Sequence, residues 1–495
     1  MFNEILYSFE LVATVPNFIA IAAGIWAGVL IGAIPGMTGT MAVTLALPFT
    51  FFMPPLTSLL LLVALYKGST YGGSISAILI KTPGTASAAC TLLDGYPLAQ
   101  QGKAGKALNM ALVSSCIGDF LSNMSLFFLA IPLAHFALQI GPPEFFLVMA
   151  FALTIVAGVS GKSLLLGVVS ACLGLLLATV GQDVYGSYRF AFNEDMESGL
   201  ATVPVLIGLF AVPELIKFFI FRSDQSASAT NLGDNKLSWK EFRPSIPTIF
   251  KGSFIGVVLG AIPGIGPSAA AFFSYSEAKR SSPRSENFGH GELEGIAASE
   301  SANNGCCGAT MIPLLSLGIP GDVITGVMLG AFMIHGLTPG PLLFTENIDI
   351  VYALFIGMLF SSAFLYFAGR LTAPIFSRVA SIPQRVLLPS ILVLCIFGTY
   401  AVSTSFFDVI VLLTMGFIGF VMMLLKIPAA PFLIAFILGP MFEDNFRRAM
   451  ALSRGEMTIF FESNISIALI GLIVISLFVT FYKQWKQWNQ KRTIR

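Results

Sequence analysis

Charged side chains are scarce in this sequence, since only 11% of its 495 residues are Asp, Glu, Lys or Arg. Soluble proteins use roughly a quarter of their residues as charged groups. Because 56% of the residues are hydrophobic, most of the chain must face lipid or other apolar protein. The formal net charge of +1 provides no basic excess, so we expect no nucleic-acid partner.

Enzyme and metal-site motifs are also missing. The three histidines are scattered, and no pair of the six cysteines has zinc-ligand spacing with them. Walker A, HExxH and GxSxG patterns do not occur. The sequence therefore predicts a protein that is not an enzyme and needs neither a metal nor an organic cofactor.

Long apolar segments recur almost end to end, some too long for one crossing and others broken by Gly or Pro. They predict an all-α polytopic membrane protein with about ten to twelve transmembrane helices, some broken or re-entrant. The polar stretch 222–250 is interpreted as a linker between a membrane repeat at 1–221 and a second repeat with additional helices at 251–482. The basic tail 483–495 is expected to be cytoplasmic.

An internal repeat supports the division into halves. Residues 24–36 read GIWAGVLIGAIPG and residues 252–264 read GSFIGVVLGAIPG, so eight of thirteen positions are identical. A glycine at every fourth position places all four glycines on one stripe of a helix, where another helix can approach closely. We call each copy a glycine ladder. We expect two pseudo-symmetric repeats of inverted topology.

Each ladder ends in Pro-Gly, where a helix is expected to stop. A second Pro-Gly follows in each half, at 83–84 and at 320–321. Broken helices at membrane depth are tolerated only where protein or a water-filled cavity surrounds the freed backbone groups. Interruptions at matching places in two halves indicate a transporter binding site. The four breaks are therefore predicted to surround one site near the membrane midplane.

Small polar residues lie at or beside these breaks. Free N–H groups of a broken helix suit a carboxylate, whereas free carbonyl, hydroxyl and amide oxygens suit a hard cation. The predicted substrate-binding residues are Gly36, Thr38, Ser74, Lys81, Thr82, Pro83, Gly84, Thr85, Gly264, Ser268, Pro320 and Gly321. The predicted ion-coupling residues are Glu300, Ser301, Asn303 and Asn304.

Each of these interpretations has an alternative. A hydroxyl group can instead bond to the backbone of its own helix. Lys81 either attracts a substrate carboxylate or extends to the membrane interface. Glu300 either couples a cation or a proton to transport, or stabilises a helix end. Residues 94–97, Asp-Gly-Tyr-Pro, predict a turn in a polar loop.

Three stretches resemble the TctA family, the large permease subunit of bacterial tripartite tricarboxylate transporters. They are GAIPG at 32–36, YGGSISAILIKTPGTASAACTLLDGYPLAQQGKAG at 71–105 and ESANNGCCGATMIPLLSLGIPG at 300–321. The resemblance covers nearly the whole chain and implies a multi-pass secondary transporter of the bacterial inner membrane. It also implies a small four-helix membrane subunit, a periplasmic solute-binding protein that delivers a di- or tricarboxylate, and a driving gradient of Na⁺ or H⁺.

The chain departs from the family pattern at three places. Lys81 stands where asparagine is expected, Cys306 and Cys307 stand where alanines are usual, and Ser299 replaces a proline. The added charge at Lys81 leaves the identity of the carboxylate open. An ion or solute channel is the alternative function, because a channel can also use broken helices.

Overall fold

The computed structural model of the chain describes residues 2–34, 37–159, 163–183, 186–221, 236–379 and 384–493. Within these ranges the protein is built of α-helices, with one antiparallel hairpin that pairs Gly181–Gln182 with Tyr188–Arg189. The predicted all-α class is confirmed.

The helices differ widely in length, from four residues in the shortest to 34 in the longest. The first ten are α1 (Phe2–Val12), α2 (Val15–Ala33), α3 (Gly39–Thr50), α4 (Pro55–Ile80), α5 (Ala88–Leu98), α6 (Ala104–Ala137), α7 (Pro142–Val159), α8 (Leu164–Ala178), α9 (Thr202–Phe210) and α10 (Val212–Phe221). The others are α11 (Trp239–Phe242), α12 (Ile246–Gly260), α13 (Gly266–Ser281), α14 (Leu293–Ala309), α15 (Met311–Leu317), α16 (Val323–Ile334), α17 (Leu343–Glu346), α18 (Ile348–Val379), α19 (Gln384–Ser403), α20 (Phe406–Leu424), α21 (Ala429–Leu452) and α22 (Asn464–Thr493).

Among the described residues, four helical stretches are long and apolar enough to cross a bilayer, judged by length and composition. They are Val15–Ala33, Ala88–Ala137, Ile348–Thr372 and Phe406–Leu424. Six shorter apolar helices have 10 to 17 residues. The helix α4 has 26 residues, but Lys67 and several Gly, Ser, Thr and Tyr residues interrupt its apolar sequence. The predicted number of crossings stays a prediction.

The chain divides into two compact units, each built from two separated stretches. The first unit comprises Met1–Ala134 and Glu214–Val402, and the second comprises His135–Pro213 and Ser403–Arg495. The described residues of both glycine ladders and the Pro-Gly pairs at 83–84, 263–264 and 320–321 belong to the first unit. The predicted halves, 1–221 and 251–482, are each continuous in sequence and so divide the chain differently from these two units. The boundaries of the halves stay a prediction.

The first glycine ladder packs α2 against α4. A Cβ atom at Gly28 would lie 2.5 Å from the carbonyl oxygen of Leu65, and one at Gly32 would collide with the backbone of Ser69. Later residues of α2 meet later residues of α4, so the two helices run parallel. The prediction that the ladder is a packing surface is confirmed, because no larger side chain fits between these backbones.

The second ladder packs α12 against α14 in the same parallel sense. Gly256 lies against Ala302, and Gly260 lies against Cys306. The helix α13 runs back along α14, since Ala270 packs against Ala302 whereas Ser274 donates a hydrogen bond to the Ala298 carbonyl oxygen over 2.7 Å. In the first half, α3 runs back along α4, since Gly39 lies against Ser69 whereas the Thr50 carbonyl oxygen accepts a hydrogen bond from Ser58.

The second unit contains its own apolar and ionic contacts. Glu443 on α21 accepts two hydrogen bonds of 2.9 Å from the Arg189 guanidinium of the hairpin. It also forms an ion pair with Arg447, whose Nη2 lies 2.7 Å from the Glu443 carboxylate. These contacts fix the hairpin to α21. Phenylalanine rings pack together nearby at Phe146, Phe442, Phe446 and Phe460.

The predicted turn at 94–97 is wrong, because these residues lie inside α5. The Asp94 carboxylate is buried and accepts hydrogen bonds from the Tyr275 hydroxyl at 2.8 Å and from the backbone N–H groups of Gly289 and Gly291. Asp94 therefore anchors the loop before α14 rather than forming a surface turn. Of the predicted linker, residues 222–235 lie outside the described residues, and α11 forms within the remainder.

Candidate functional site

The two Pro-Gly breaks of the second half lie against each other. The Gly264 N–H, with φ at +84°, donates a hydrogen bond to the Gly321 carbonyl oxygen over 2.8 Å. Pro320 and Gly321 are buried, and a Cβ at Gly321 would lie 2.6 Å from the carbonyl oxygen of Thr310. Glycine is required at both breaks, because one has a positive φ and the other touches backbone.

In the first half, the segment after α4 turns back to the glycine ladder. The Gly84 N–H donates a hydrogen bond to the Gly73 carbonyl oxygen over 3.2 Å, and a Cβ at Gly84 would collide with the carbonyl oxygen of Gly32. Thr85 packs on Gly73. The break that ends this ladder lies outside the described residues, and the predicted site residue Gly36 lies there too.

Direct contacts connect the breaks of the two halves through α4. Gly32 packs on Ser69, and Gly39 at the start of α3 packs on Ser69 and on Ile324. Ile324 lies in the first turn of α16, three residues after Gly321. The Pro-Gly breaks after α4, α12 and α15 and the residues that flank the fourth break therefore form one connected region.

Some of the predicted substrate-binding hydroxyls bond locally. Thr38 accepts the Met41 N–H at 3.2 Å and so caps α3, and Thr82 donates to the Ile80 carbonyl oxygen at 3.3 Å. Ser268 is half-buried in the first turn of α13. These bonds favour the backbone interpretation for Thr38 and Thr82.

Lys81 ends α4 in the left-handed conformation, with φ at +60°. The break after α15 begins in the same way, at Gly318 with φ at +73°. Glycine and asparagine adopt this conformation most readily, which explains the asparagine that the family resemblance leads us to expect at position 81. The Lys81 side chain is exposed, and its ammonium lies 5.5 Å from the centroid of the Tyr96 ring.

Glu300 lies at the centre of a buried cluster of hydroxyl groups. Its carboxylate accepts hydrogen bonds from Ser74 at 2.5 Å, from Ser115 at 2.8 Å and from Thr91. These donors come from α4, α6 and α5, so the carboxylate of α14 joins three other helices. No Lys or Arg pairs with Glu300 within the described part of the chain, so only hydroxyl groups stabilise it there. We call this the Glu300 cluster.

The two predicted asparagines extend the Glu300 cluster along α14. Asn303 and Asn304 are both fully buried. Asn304 Nδ2 donates to Ser115 Oγ at 2.8 Å, but its Oδ1 has no hydrogen-bond partner among the described residues. Neither polar atom of Asn303 has one. Buried amides are nearly always hydrogen-bonded, so three unpartnered atoms in adjacent residues indicate a place for a ligand.

The face of α14 that carries Asn303 can be assigned from its neighbours. Glu300 and Cys307 lie three residues before and four residues after it, which places all three on one side of the helix. Glu300 contacts Ser74 of α4, and Cys307 contacts Thr70 of α4 at 3.7 Å. Asn303 therefore lies on the side of α14 that faces α4.

Ser301 points to a different side of α14. Its hydroxyl donates to the Ala298 carbonyl oxygen at 3.4 Å, and it packs on Gly252 of the second ladder. The structure thus brings Ser74, Glu300, Asn303 and Asn304 together and separates Ser301 from them. No group of three or more His, Cys, Asp or Glu side chains suited to a metal occurs among the described residues.

Sequence reasoning missed an ion pair in the middle of α4. Lys67 is fully buried, and its Nζ lies 3.2 Å from Asp119 Oδ2 on α6. Asp119 Oδ2 also accepts hydrogen bonds from Ser362 at 2.6 Å and from Asn123 at 3.2 Å. Each member of the pair is an ionisable residue inside an apolar stretch, which is the signal that would have found it.

A second missed pair joins α4 to the break before α16. The Tyr66 hydroxyl donates to Asp322 Oδ2 over 2.8 Å. Asp322 Oδ1 accepts the Thr325 N–H at 2.8 Å and thereby caps α16. The N-terminus of α16 is consequently already bound to a carboxylate of the chain itself.

The chain resembles known proteins along most of its length. Residues 18–434 match the family described as the Tripartite tricarboxylate transporter TctA family. A 52.8 kDa protein from the TAR-I ttuC' 3' region of Agrobacterium vitis is 35% identical over 474 residues, covering 95% of this chain and 94% of that protein. A protein from the TAR-II ttuC' 3' region of the same organism is 36% identical over 217 residues, covering 44% and 90% respectively. No solved structure matches the chain.

Proposed function

Because this chain belongs to the tripartite tricarboxylate transporter TctA family, we propose that it is the subunit through which a small organic carboxylate enters the cell. Its helices cross the bacterial inner membrane many times. Import is secondary active and driven by a Na⁺ or H⁺ gradient. A periplasmic solute-binding protein delivers the di- or tricarboxylate, and a small four-helix membrane subunit completes the system.

The direction of the helices supports a transporter with inverted repeats. α2 and α4 run parallel, and so do α12 and α14, but α4 and α14 are antiparallel. Thr70 contacts Cys307, whereas Ser74, one turn later on α4, contacts Glu300, nearly two turns earlier on α14. The two ladder-bearing helix pairs therefore point in opposite directions, as they do in transporters with inverted repeats.

The spacing of paired features supports the same proposal. Gly68 and Gly305 are the glycines with which α4 and α14 meet their ladders. They are 305 − 68 = 237 residues apart, and Pro83 and Pro320 are also 320 − 83 = 237 residues apart. The offset is the same within α4 and α14 and at the Pro-Gly pairs that follow them, whereas the ladders themselves are 252 − 24 = 228 residues apart. An offset kept over a stretch of equivalent contacts is typical of duplicated units.

The unpartnered amide of Asn303 is the observation that carries the proposal. Leaving a buried polar group without a partner costs about 1–3 kcal/mol, so a residue with two such atoms is retained for a reason other than stability. Asn303 lies one helical turn after Glu300 on α14, and Asn304 shares Ser115 with the Glu300 carboxylate. Amide oxygens and a carboxylate suit a Na⁺ ion, and the carboxylate also suits a proton. We assign the coupling ion to this part of α14.

The substrate carboxylate is assigned to the first-half break. The N-terminus of α16 is occupied by Asp322, but Ser87 at the start of α5 makes no side-chain cap. Thr85 reaches the Ala88 N–H only at 3.3 Å. Backbone N–H groups at the start of α5, beside Gly84, are therefore the better place for an anionic group.

Transport by the purified system tests the proposal. The chain, its small membrane subunit and a binding protein are incorporated in vesicles, and a panel of labelled di- and tricarboxylates is offered with an inward Na⁺ or H⁺ gradient. We expect one acid to accumulate above its external concentration and to be released when an ionophore collapses the gradient. Equilibration without accumulation would instead support the channel alternative.

A further inference from the structure

The ammonium of Lys67 is surrounded by oxygen atoms on several sides. Its Nζ lies 2.8 Å from the Met358 carbonyl oxygen, 2.8 Å from Ser361 Oγ, 3.1 Å from Asn123 Oδ1 and 3.2 Å from Asp119 Oδ2. The four oxygens come from α6 and α18, and the side chain of Lys67 reaches them from α4. We call this the Lys67 cage.

The composition of the cage is that of a monovalent cation site. One carboxylate, one amide, one hydroxyl and one backbone carbonyl oxygen are the ligand types that hard cations prefer. An ammonium group has three donors, so four oxygens are more acceptors than it needs. We propose that the Lys67 cage is a monovalent cation site in which the lysine ammonium permanently takes the place of the ion.

A second observation points to the same site. Asp119 uses only Oδ2 for Lys67, Asn123 and Ser362, while its Oδ1 is buried without a hydrogen-bond partner among the described residues. Buried polar atoms nearly always have a hydrogen-bond partner, so the unpartnered Oδ1 calls for an explanation. The free Oδ1 is the additional ligand that a metal cation would use once the ammonium is removed.

The correspondence between the two halves relates the Lys67 cage to the coupling ion, a relation that rests on the proposed function. At the offset of 237 residues, Lys67 of α4 corresponds to Asn304 of α14 (304 − 67). Asn304 presents an unpartnered oxygen where Lys67 presents a positive charge. One half therefore carries its own cation, and the other half takes its cation from solution.

Cation-dependent stability of the purified chain in detergent tests the proposal without any transport measurement. Lys67→Ala removes the ammonium and leaves space inside the cage. We expect its melting temperature to be low in choline chloride and to rise by about 3 °C or more, saturably, with added Na⁺ or K⁺. The wild type and the control Lys81→Ala, which changes an exposed lysine outside the cage, should lack this additional response.

A double variant separates a cation site from a structural ion pair. Lys67→Ala with Asp119→Asn removes both charges, and we expect it to be stable without a cation-dependent gain. The proposal is overturned if Lys67→Ala responds to Na⁺ and K⁺ no more than the wild type, or if the double variant keeps the response. Should Lys67→Ala fail to fold in every salt, Lys67→Gln, whose amide still donates to Asp119, is subject to the same two criteria.

Discussion

Two buried carboxylates of the first unit are stabilised in opposite ways. Asp119 in the Lys67 cage faces an ammonium and two further hydrogen-bond donors, so its charge is balanced within the chain. Glu300 accepts three hydroxyl groups and has no cationic partner among the described residues. Ser115 of the Glu300 cluster and Asp119 are one turn apart on α6, so the two arrangements are neighbours.

This difference indicates which of the two carboxylates is accessible to an outside ligand. A buried charge without compensation costs several kcal/mol, so a chain that encloses one must either pair it or supply it with an exchangeable ion. The Lys67 cage is paired from within. The Glu300 cluster, which has unpartnered asparagine atoms beside it and no cationic partner among the described residues, is therefore the place where we propose that an exchangeable ion binds.

Breaking the ion pair of the Lys67 cage should have the strongest effect on the stability of the chain. Asp119→Asn leaves the Lys67 ammonium buried without a counter-ion, and we expect a loss of about 3–5 kcal/mol in the free energy of unfolding. Denaturation of the purified chain in detergent measures this loss. Adding Lys67→Met to the variant should restore most of the stability. A loss below about 1 kcal/mol for Asp119→Asn would show that the ion pair is not enclosed as described.

The corresponding carboxylate-to-amide substitution in the Glu300 cluster should affect transport rather than folding. Glu300→Gln keeps the shape of the side chain and removes a buried charge that no cation pairs, so we expect the stability to be retained. Uptake should fall at least about tenfold, equivalent to about 1.4 kcal/mol. Parallel melting and uptake measurements on vesicles check both parts. If Glu300→Gln unfolded the chain as Asp119→Asn does, the contrast between the two carboxylates would be lost.

The smallest effect is expected at the second lysine of α4. Lys81→Asn places a residue that tolerates a positive φ at the end of the helix, and we expect a gain of about 1 kcal/mol in stability. Uptake should remain unchanged, because the ammonium lies over Tyr96 at the surface. A strong loss of uptake, with a normal melting temperature, would restore the substrate-binding role predicted for Lys81.

The sequence predicted the features that depend on local patterns. The glycine ladders act as packing surfaces because an i, i+4 stripe of glycine has the same effect in any membrane helix. The helices also end at or before each Pro-Gly pair, as the backbone of proline and glycine requires. The family and the membrane location followed from long motifs and from the scarcity of charge.

Other features depend on which helices meet, and single-sequence reasoning did not find them. Ser74 was assigned to the substrate, but it bonds to Glu300, 226 residues away. Lys81 drew attention because it stands beside Pro-Gly, whereas Lys67, in the middle of the same helix, is the buried lysine. The run Asp-Gly-Tyr-Pro at 94–97 predicts a turn because Gly and Pro usually interrupt helices. In the structure Pro97 lies inside α5, where the buried contacts of Asp94 stabilise the helix.

Comparing Asn303→Ala with Asn123→Ala tests whether Asn303 serves an exchangeable ion rather than the stability of the fold. Asn123 has several hydrogen-bond partners, so its removal should destabilise the chain by about 2 kcal/mol. Asn303 has none among the described residues, so its removal should leave the melting temperature unchanged or higher.

The deciding measurement is ion-driven uptake by Asn303→Ala in vesicles, at protein levels matched to the wild type. The predicted result is a folded protein in which uptake falls at least about tenfold and responds less steeply to the driving ion. Wild-type uptake with an unchanged ion dependence would contradict the claim that α14 holds the exchangeable ion beside Glu300.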